Sequence, residues 1–176
     1  MPLPLRTSRL LLRAPLLSDV DAFLAIYADH ETLRHIGTHA RWTGDLVRRR
    51  NEQGIRVLED RGYTVYTVER RSDEAIIGQC GLWPADDGTP ELACVLSREV
   101  WGRGYGLEAI RAVVRHACGE LGLARMTVRF EVANTAMAKL WENHPELGFT
   151  FSQEYVCERS GQRMRQYTRL LDLKRS

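Results

Sequence analysis

Residues 98–109, Arg98-Glu99-Val100-Trp101-Gly102-Arg103-Gly104-Tyr105-Gly106-Leu107-Glu108-Ala109, place three glycines between an extended apolar run and an amphipathic helix. Such a loop suits a phosphate, because glycines turn backbone N–H groups inward without a side chain in the way. A helix starting behind them adds about half a positive charge at its N-terminus. Behind the loop, Leu107, Ile110, Val113, Val114, Ala117, Cys118 and Leu121 recur at three- and four-residue spacing, and Gly122 stands where a helix C-cap is expected. Ahead of it, residues 91–96 read as a strand.

Working outward, the chain alternates extended and helical periods. Residues 8–14 form a first strand with Leu10 and Leu12 on one face, ended by Pro15. A helix follows, capped by Ser18 with Asp21 at its third position, and striped by Val20, Phe23, Leu24 and Tyr27. Residues 29–42 are mixed, with His30, His35 and His39, and residues 43–60 read as a polar helix in which Gly54 is a cost. Residues 63–69 and 75–82 form a hairpin that continues as a meander into 91–96. Past the loop helix come a strand over 125–131, a helix from about Asn134 that Pro145 ends, and a closing hairpin of 149–156 and 163–170. With 176 residues and no linker, repeat or low-complexity tract, residues 1–176 are expected to make one domain.

Composition narrows the function. Twenty-five basic and 23 acidic residues leave a net charge of +2, which gives no reason to expect a nucleic-acid partner. No apolar run approaches the ~18 residues of a membrane span, and the first six residues carry two prolines and no apolar leader core. Cys80, Cys94, Cys118 and Cys157 lack C-x-x-C spacing and fit buried thiols in a reducing, cytoplasmic setting. No metal site is expected, since His30-Glu31 and His35 have a spacing of five where the zinc-binding H-E-x-x-H helix needs four.

Three ligands compete for the glycine loop. A Walker loop needs Lys-Ser or Lys-Thr after its last glycine, and Leu107-Glu108 stands there instead. Gly104, Gly106 and Ala109 match the dinucleotide pattern G-x-G-x-x-A, and Glu131 lies about the ~20 residues onward that a ribose contact requires. The context differs, because five residues separate loop from strand and a meander precedes it.

The third reading is a resemblance. The strand ending at Leu96, the Trp101-Gly102-Arg103-Gly104-Tyr105-Gly106 loop, the long helix, the next strand with Asn134, and Leu147-Gly148-Phe149 resemble the GNAT superfamily of acetyl-CoA-dependent N-acetyltransferases over nearly the whole chain. The opening Thr7-Ser8-Arg9-Leu10-Leu11-Leu12-Arg13 and the strand Ile77-Gly78-Gln79-Cys80-Gly81-Leu82 are most similar to the branch of bacterial ribosomal-protein N-terminal acetyltransferases. The resemblance implies a mixed α/β (α+β) fold: a mostly antiparallel sheet of six to seven strands, splayed at strands 4 and 5 and flanked by helices. It implies that the stretch from Trp101 through Gly102, Arg103, Gly104, Tyr105 and Gly106 to Leu107 holds the CoA pyrophosphate, that pantetheine pairs near Leu96, and that Asn134 positions the cofactor arm.

Glu91, at the start of the fourth strand, is the place where relatives carry a carboxylate that takes the amine's proton; an exposed strand-end glutamate is the equal alternative. The usual acid positions are Met137 and Trp141, neither an acid toward sulfur, and His144-Pro145-Glu146 looks like an insertion. Arg98 and Arg103 are candidates to meet CoA phosphates, with solvent exposure as the equal alternative, and Asp29, Glu31 and Glu158 are candidates to attract a cationic amine, with ordinary surface carboxylates as the alternative. The reading is acetyl transfer to a primary amine, a protein N-terminus or a small molecule, by direct attack in a ternary complex formed by a monomer or homodimer. A CoA-binding module without turnover and an NAD-dependent oxidoreductase are the alternatives.

Overall fold

The computed structural model describes residues 4–36, 42–158 and 160–170. In it the alternation of the sequence becomes one sheet of eight strands. These are β1 (Leu5–Arg6), β2 (Leu10–Arg13), β3 (Val65–Arg70), β4 (Ala75–Pro84), β5 (Pro90–Leu96), β6 (Arg125–Glu131), β7 (Thr150–Val156) and β8 (Arg163–Leu170). Their order across the sheet is β1-β2-β3-β4-β5-β6-β8-β7, and only β5 and β6 run parallel. The eighth strand exceeds the expected six to seven because β1 is two residues long, too short for alternation to show. The strands expected as fourth and fifth are therefore β5 and β6.

Four helices flank the sheet: α1 (Val20–Tyr27), α2 (Gly44–Arg61), α3 (Tyr105–Gly119) and α4 (Thr135–Asn143). Successive strand residues point to opposite faces. Leu92, Leu96, Met126, Val128 and Phe130 thus share a core with Ile110, Val113 and Ala117 of α3 and Trp141 of α4. Val95 and Ile76 pack instead with Val20, Phe23, Ile26 and Tyr27 of α1 and Val47 of α2. No described helix is long and apolar enough to cross a membrane.

Gly54, a cost within α2 on propensity, sits at a tight contact. A Cβ there would stand 3.1 Å from Thr64 Oγ1 and 3.2 Å from Pro15 Cγ, and the Thr64 hydroxyl donates to the Gly54 carbonyl at 2.8 Å. Thr43 caps α2, accepting from the Leu46 N–H at 3.3 Å. α3 ends at Gly119, earlier than expected, while Gly122 holds a left-handed turn at φ +59°.

The expected Ser18 cap on α1 is not used. A 3-10 turn over Leu17–Asp19 comes first, and the Asp19 carboxylate accepts the Leu16 N–H at 2.9 Å. Asp19 is preferred because it answers a partly buried cation. Arg13 of β2 donates to both its oxygens at 2.8 and 2.9 Å, and Thr67 of β3 donates at 2.8 Å. Burial pushes the Asp19 carboxyl up, yet the bonds from Arg13, Leu16 and Thr67 outweigh this and hold it below the usual range. Asp19→Asn would leave Arg13 paired with Glu69 alone, and a loss of about 3 kcal/mol is expected, as for other broken buried pairs. Urea unfolding measures it, and a midpoint equal to wild type would show that the pair contributes nothing net.

Candidate active site

The glycine loop sits where β5 hands over to α3. Gly102 and Gly104 adopt left-handed φ of +70° and +78°, a region that side chains with a Cβ enter at a cost of about 1–2 kcal/mol. Gly104 is the residue before the helix, and no side chain caps it. The first N–H groups of α3 lack intrahelical partners by construction and, with the aligned peptide dipoles, present partial positive charge toward the loop. A Cβ on Gly102 would meet nothing within 4 Å, so the open side of the loop is free for a ligand.

The N-terminal segment holds the loop from behind. Glu108, in the first turn of α3, accepts from Thr7 Oγ1 at 2.6 Å, Ser8 Oγ at 3.0 Å, the Arg9 N–H at 2.9 Å and Arg9 Nε at 2.6 Å. The same guanidinium donates to the Arg103 carbonyl at 2.9 Å and lies 4.2 Å from the Tyr105 ring centre.

Beside the loop the sheet opens. The parallel ladder between β5 and β6 has two registered pairs, Glu91↔Thr127 and Leu92↔Val128, and then the strands diverge. The Ser97 N–H donates to Ile77 of β4 at 2.8 Å. Strand backbone groups alternate sides, so the N–H groups of Leu96 and Cys94 face away from β4, into the gap. The Leu96 carbonyl is taken by Trp101 Nε1 at 2.8 Å, which ties the half-exposed indole to the mouth of the gap. Free strand polar groups thus run from the glycine loop into a splay, as a linear chain bearing phosphates at one end would require.

A family model described as acetyltransferase (GNAT) domain matches residues 9–155. The chain belongs to the GNAT acetyltransferase family. It is 28% identical over 142 residues to an uncharacterised N-acetyltransferase, p20, of Bacillus licheniformis, an alignment covering 77% of this chain and 78% of that one. Among solved structures it resembles a GNAT-family acetyltransferase from Bacillus anthracis, with a TM-score of 0.80 at 18% identity, covering 96% of this chain and 98% of that one. It also resembles RimL, a ribosomal L7/L12 α-N-protein acetyltransferase solved with coenzyme A, with a TM-score of 0.74 at 17% identity over 94% of this chain and 96% of that one. At these identities the structural likenesses speak for the fold. The mostly antiparallel sheet and the family together set aside the dinucleotide oxidoreductase, and a GNAT chain is an N-acetyltransferase, acting on an amine.

Within this GNAT site the expected residues fall in two groups. Leu96 stands at the mouth of the splay, and residues 101–107 form the glycine loop and the start of α3. Glu91 stands at the closed end, on the face carrying α1 and α2, where Arg129 Nε donates to its Oε2 at 2.5 Å. Burial pushes the Glu91 carboxyl up in pKa and Arg129 opposes this. Glu91, Arg129, Thr127 and Gln166 share the wall of a cleft of about 210 Å³. Asn134 spends its side-chain oxygen on its own helix, accepting the Met137 N–H at 3.1 Å as the cap of α4. Trp141 lies in the core against Phe149, with ring centres 4.8 Å apart.

One pair escaped the sequence reading. His35 Nδ1 lies 3.0 Å from Glu131 Oε2, at the open end of the splay and on the face of Glu91. The sequence reads Glu131 as a ribose contact of the dinucleotide pattern and His35 as a structural or substrate-loop residue. The face of Glu131 was legible from the alternation of Met126, Val128 and Phe130, but nothing local joins residues 96 positions apart. His39 and Arg159 lie outside the described residues.

Burial raises the Glu108 carboxyl, and the bonds from Thr7, Ser8 and Arg9 overcome that and hold it at about 2. A carboxyl depressed in the folded state contributes stability above its unfolded pKa of about 4.3 and loses it as pH falls toward the folded value. The melting temperature of Glu108→Gln is therefore expected below wild type at pH 7. The difference should shrink between about pH 5 and pH 2; a difference constant over that range would contradict the linkage.

Proposed function

We propose that the chain transfers the acetyl group of acetyl-CoA to a protein N-terminal α-amine, by direct attack in a ternary complex. The observation that carries this reading is the splay between β5 and β6 with the glycine loop at its open end. The N–H groups from Gly102 to Leu107 bind the pyrophosphate, with Trp101, Arg103 and Tyr105 framing it, and pantetheine extends along β5 toward Leu92. The gap-facing N–H of Leu96 or Cys94 stabilises the oxyanion, a contribution of about 3–4 kcal/mol where such donors have been removed from other enzymes. Asn134 fixes the start of α4 beside the cofactor arm.

Glu91 stands on the acceptor face, one residue to the paired side of the splay vertex at Leu92↔Val128, and receives a proton from the attacking nitrogen, directly or through water. Arg129 holds Glu91 Oε2. The choice of an α-amine follows from proton availability. At pH 7.5 about a third of an α-amine of pKa ~7.8 is free, against about a thousandth of lysine. The likeness to RimL, whose own acceptor is the α-amine of L7/L12, supports the same class. Small-molecule amines remain the second acceptor class, and residues 1–176 are proposed as one catalytic domain.

Thiol release from acetyl-CoA tests the reading with three amines: a serine-initiated peptide, an N-terminally blocked lysine peptide and spermidine. Turnover fastest with the serine-initiated peptide is expected, and lysine-only acetylation would sink the α-amine assignment. Gly102→Ala should cost about 1 kcal/mol of stability through its positive φ, yet weaken acetyl-CoA binding at least tenfold by crowding the loop. Equal CoA affinity in that variant would place the pyrophosphate elsewhere. Glu91→Gln should lower kcat by about 10²-fold with the KM for acetyl-CoA unchanged.

A further inference from the structure

Acylation of an ammonium requires nitrogen to lose two protons, one before attack and one after. Glu91 answers for one and stands at the closed end of the splay, held by Arg129. The open end carries a second group. Residues 29–36, between α1 and α2, cross that end and touch both lips. On the β5 side Thr32 Oγ1 accepts the Arg98 N–H at 3.3 Å, and on the β6 side His35 Nδ1 meets Glu131 Oε2 at 3.0 Å. Extending the register of Leu92↔Val128 sets Glu131 opposite Val95, across the gap and one residue from Leu96.

Glu131 is 8% exposed, so its carboxylate is held rather than free in solvent. A carboxylate against Nδ1 keeps the imidazole proton on that nitrogen and leaves the Nε2 lone pair available. No described residue pairs with Nε2, and the His35 side chain is 26% exposed. The adjoining elements bring charged residues as well: Arg98, whose N–H bonds Thr32, and Arg163 of β8, whose carbonyl accepts the Val132 N–H. Arg34 and Glu31 of the same turn pair with each other at 3.5 Å, and Arg129, two residues back along β6, is committed to Glu91. From β8, the residue opposite Glu131 is the uncharged Met164.

We infer that His35 is the proton acceptor that converts the bound ammonium to the free amine, with Glu131 as its positioning residue. This rests on the acyl-transfer reading above. In the step, an N–H bond of the ammonium breaks and its proton bonds to His35 Nε2, giving imidazolium. The freed nitrogen lone pair attacks the thioester carbonyl carbon, and the carbonyl electrons move to oxygen. Nitrogen passes its second proton through water to Glu91. The oxygen electrons then re-form the carbonyl as the C–S bond breaks with its electron pair on sulfur, and the thiolate takes a proton from solvent. Imidazolium and Glu91 return theirs to solvent, leaving amide, CoA thiol and one net proton.

The full chain is assayed with acetyl-CoA and the same three amines, alongside calorimetric titration of CoA. His35→Gln should lower kcat/KM near pH 7 several-fold with the serine-initiated peptide, whose amine is already partly free, and about 10²-fold with the lysine peptide, with CoA affinity within twofold of wild type and a deficit that shrinks as pH rises past each amine's own pKa. Added imidazole should partly restore His35→Ala. Glu131→Asp should retain more activity than Glu131→Gln, both with unchanged KM for acetyl-CoA. An unchanged pH profile in His35→Gln, a deficit that neither high pH nor imidazole relieves, or joint loss of turnover and CoA binding would each overturn the assignment. Absence of thiol release from the wild-type chain with all three amines would instead overturn the parent reading.

Discussion

The short ladder between β5 and β6 is the constraint on which the rest depends. Two registered pairs hold these strands, and beyond Leu92↔Val128 they part. The divergence lies at the level of a second irregularity. The β3–β4 register shifts between Val68↔Gly78 and Glu69↔Ile76, leaving Ile77 of β4 as the extra residue, and Gly78 in turn faces Leu96. A bulge bends its strand and increases local twist. The close approach at Gly78, where a Cβ would stand 2.2 Å from the Val95 carbonyl oxygen, draws the end of β5 toward β4. Twist and approach together move β5 away from β6 just where its amides turn toward the gap.

Once the gap exists, the surrounding parts follow from unsatisfied backbone. Strand N–H groups facing an open splay and helix N–H groups facing an open loop are both costly to leave without partners when water is excluded. A ligand offering acceptors along its length answers both. The loop must keep its shape when that ligand is absent, and the four bonds into Glu108, with Arg9 also bound to the Arg103 carbonyl, tie it to the first strands of the sheet. The Thr7-Ser8-Arg9 element of the family resemblance is thus a brace for the glycine loop and lies about a hundred residues from what it supports.

What the sequence made legible was local and periodic. Alternation placed β6 and β8 at their observed bounds, the three- and four-residue stripe located α3, and the glycines marked the loop. What escaped was tertiary or too short. β1 has two residues, the Asp19 cap is chosen by Arg13 and Thr67 rather than by its neighbours, and Asn134 reads equally well as a cofactor contact or a helix cap. The His35 pair with Glu131 is the clearest case. Each residue carried a separate local reading, and only the crossing of residues 29–36 over the splay joins them.

That distribution bears on which half of the reaction this site is built to assist. The positions where relatives carry an acid toward sulfur hold Met137 and a core-bound Trp141, whereas titratable groups at 35, 91 and 131 share the acceptor face. A thiol of pKa about 8.5 leaves as thiolate with little help near neutral pH, while a lysine-like ammonium is free only about once in a thousand molecules. General acid or base assistance is worth about 10²–10⁴-fold wherever it is applied. Placed at sulfur, it would speed a departure that is already easy; placed at nitrogen, it acts on the scarce species. With His35 and Glu91 in the roles proposed for them, the described site is matched to removing protons from the amine, and its rate should follow acceptor basicity more closely than thioester reactivity.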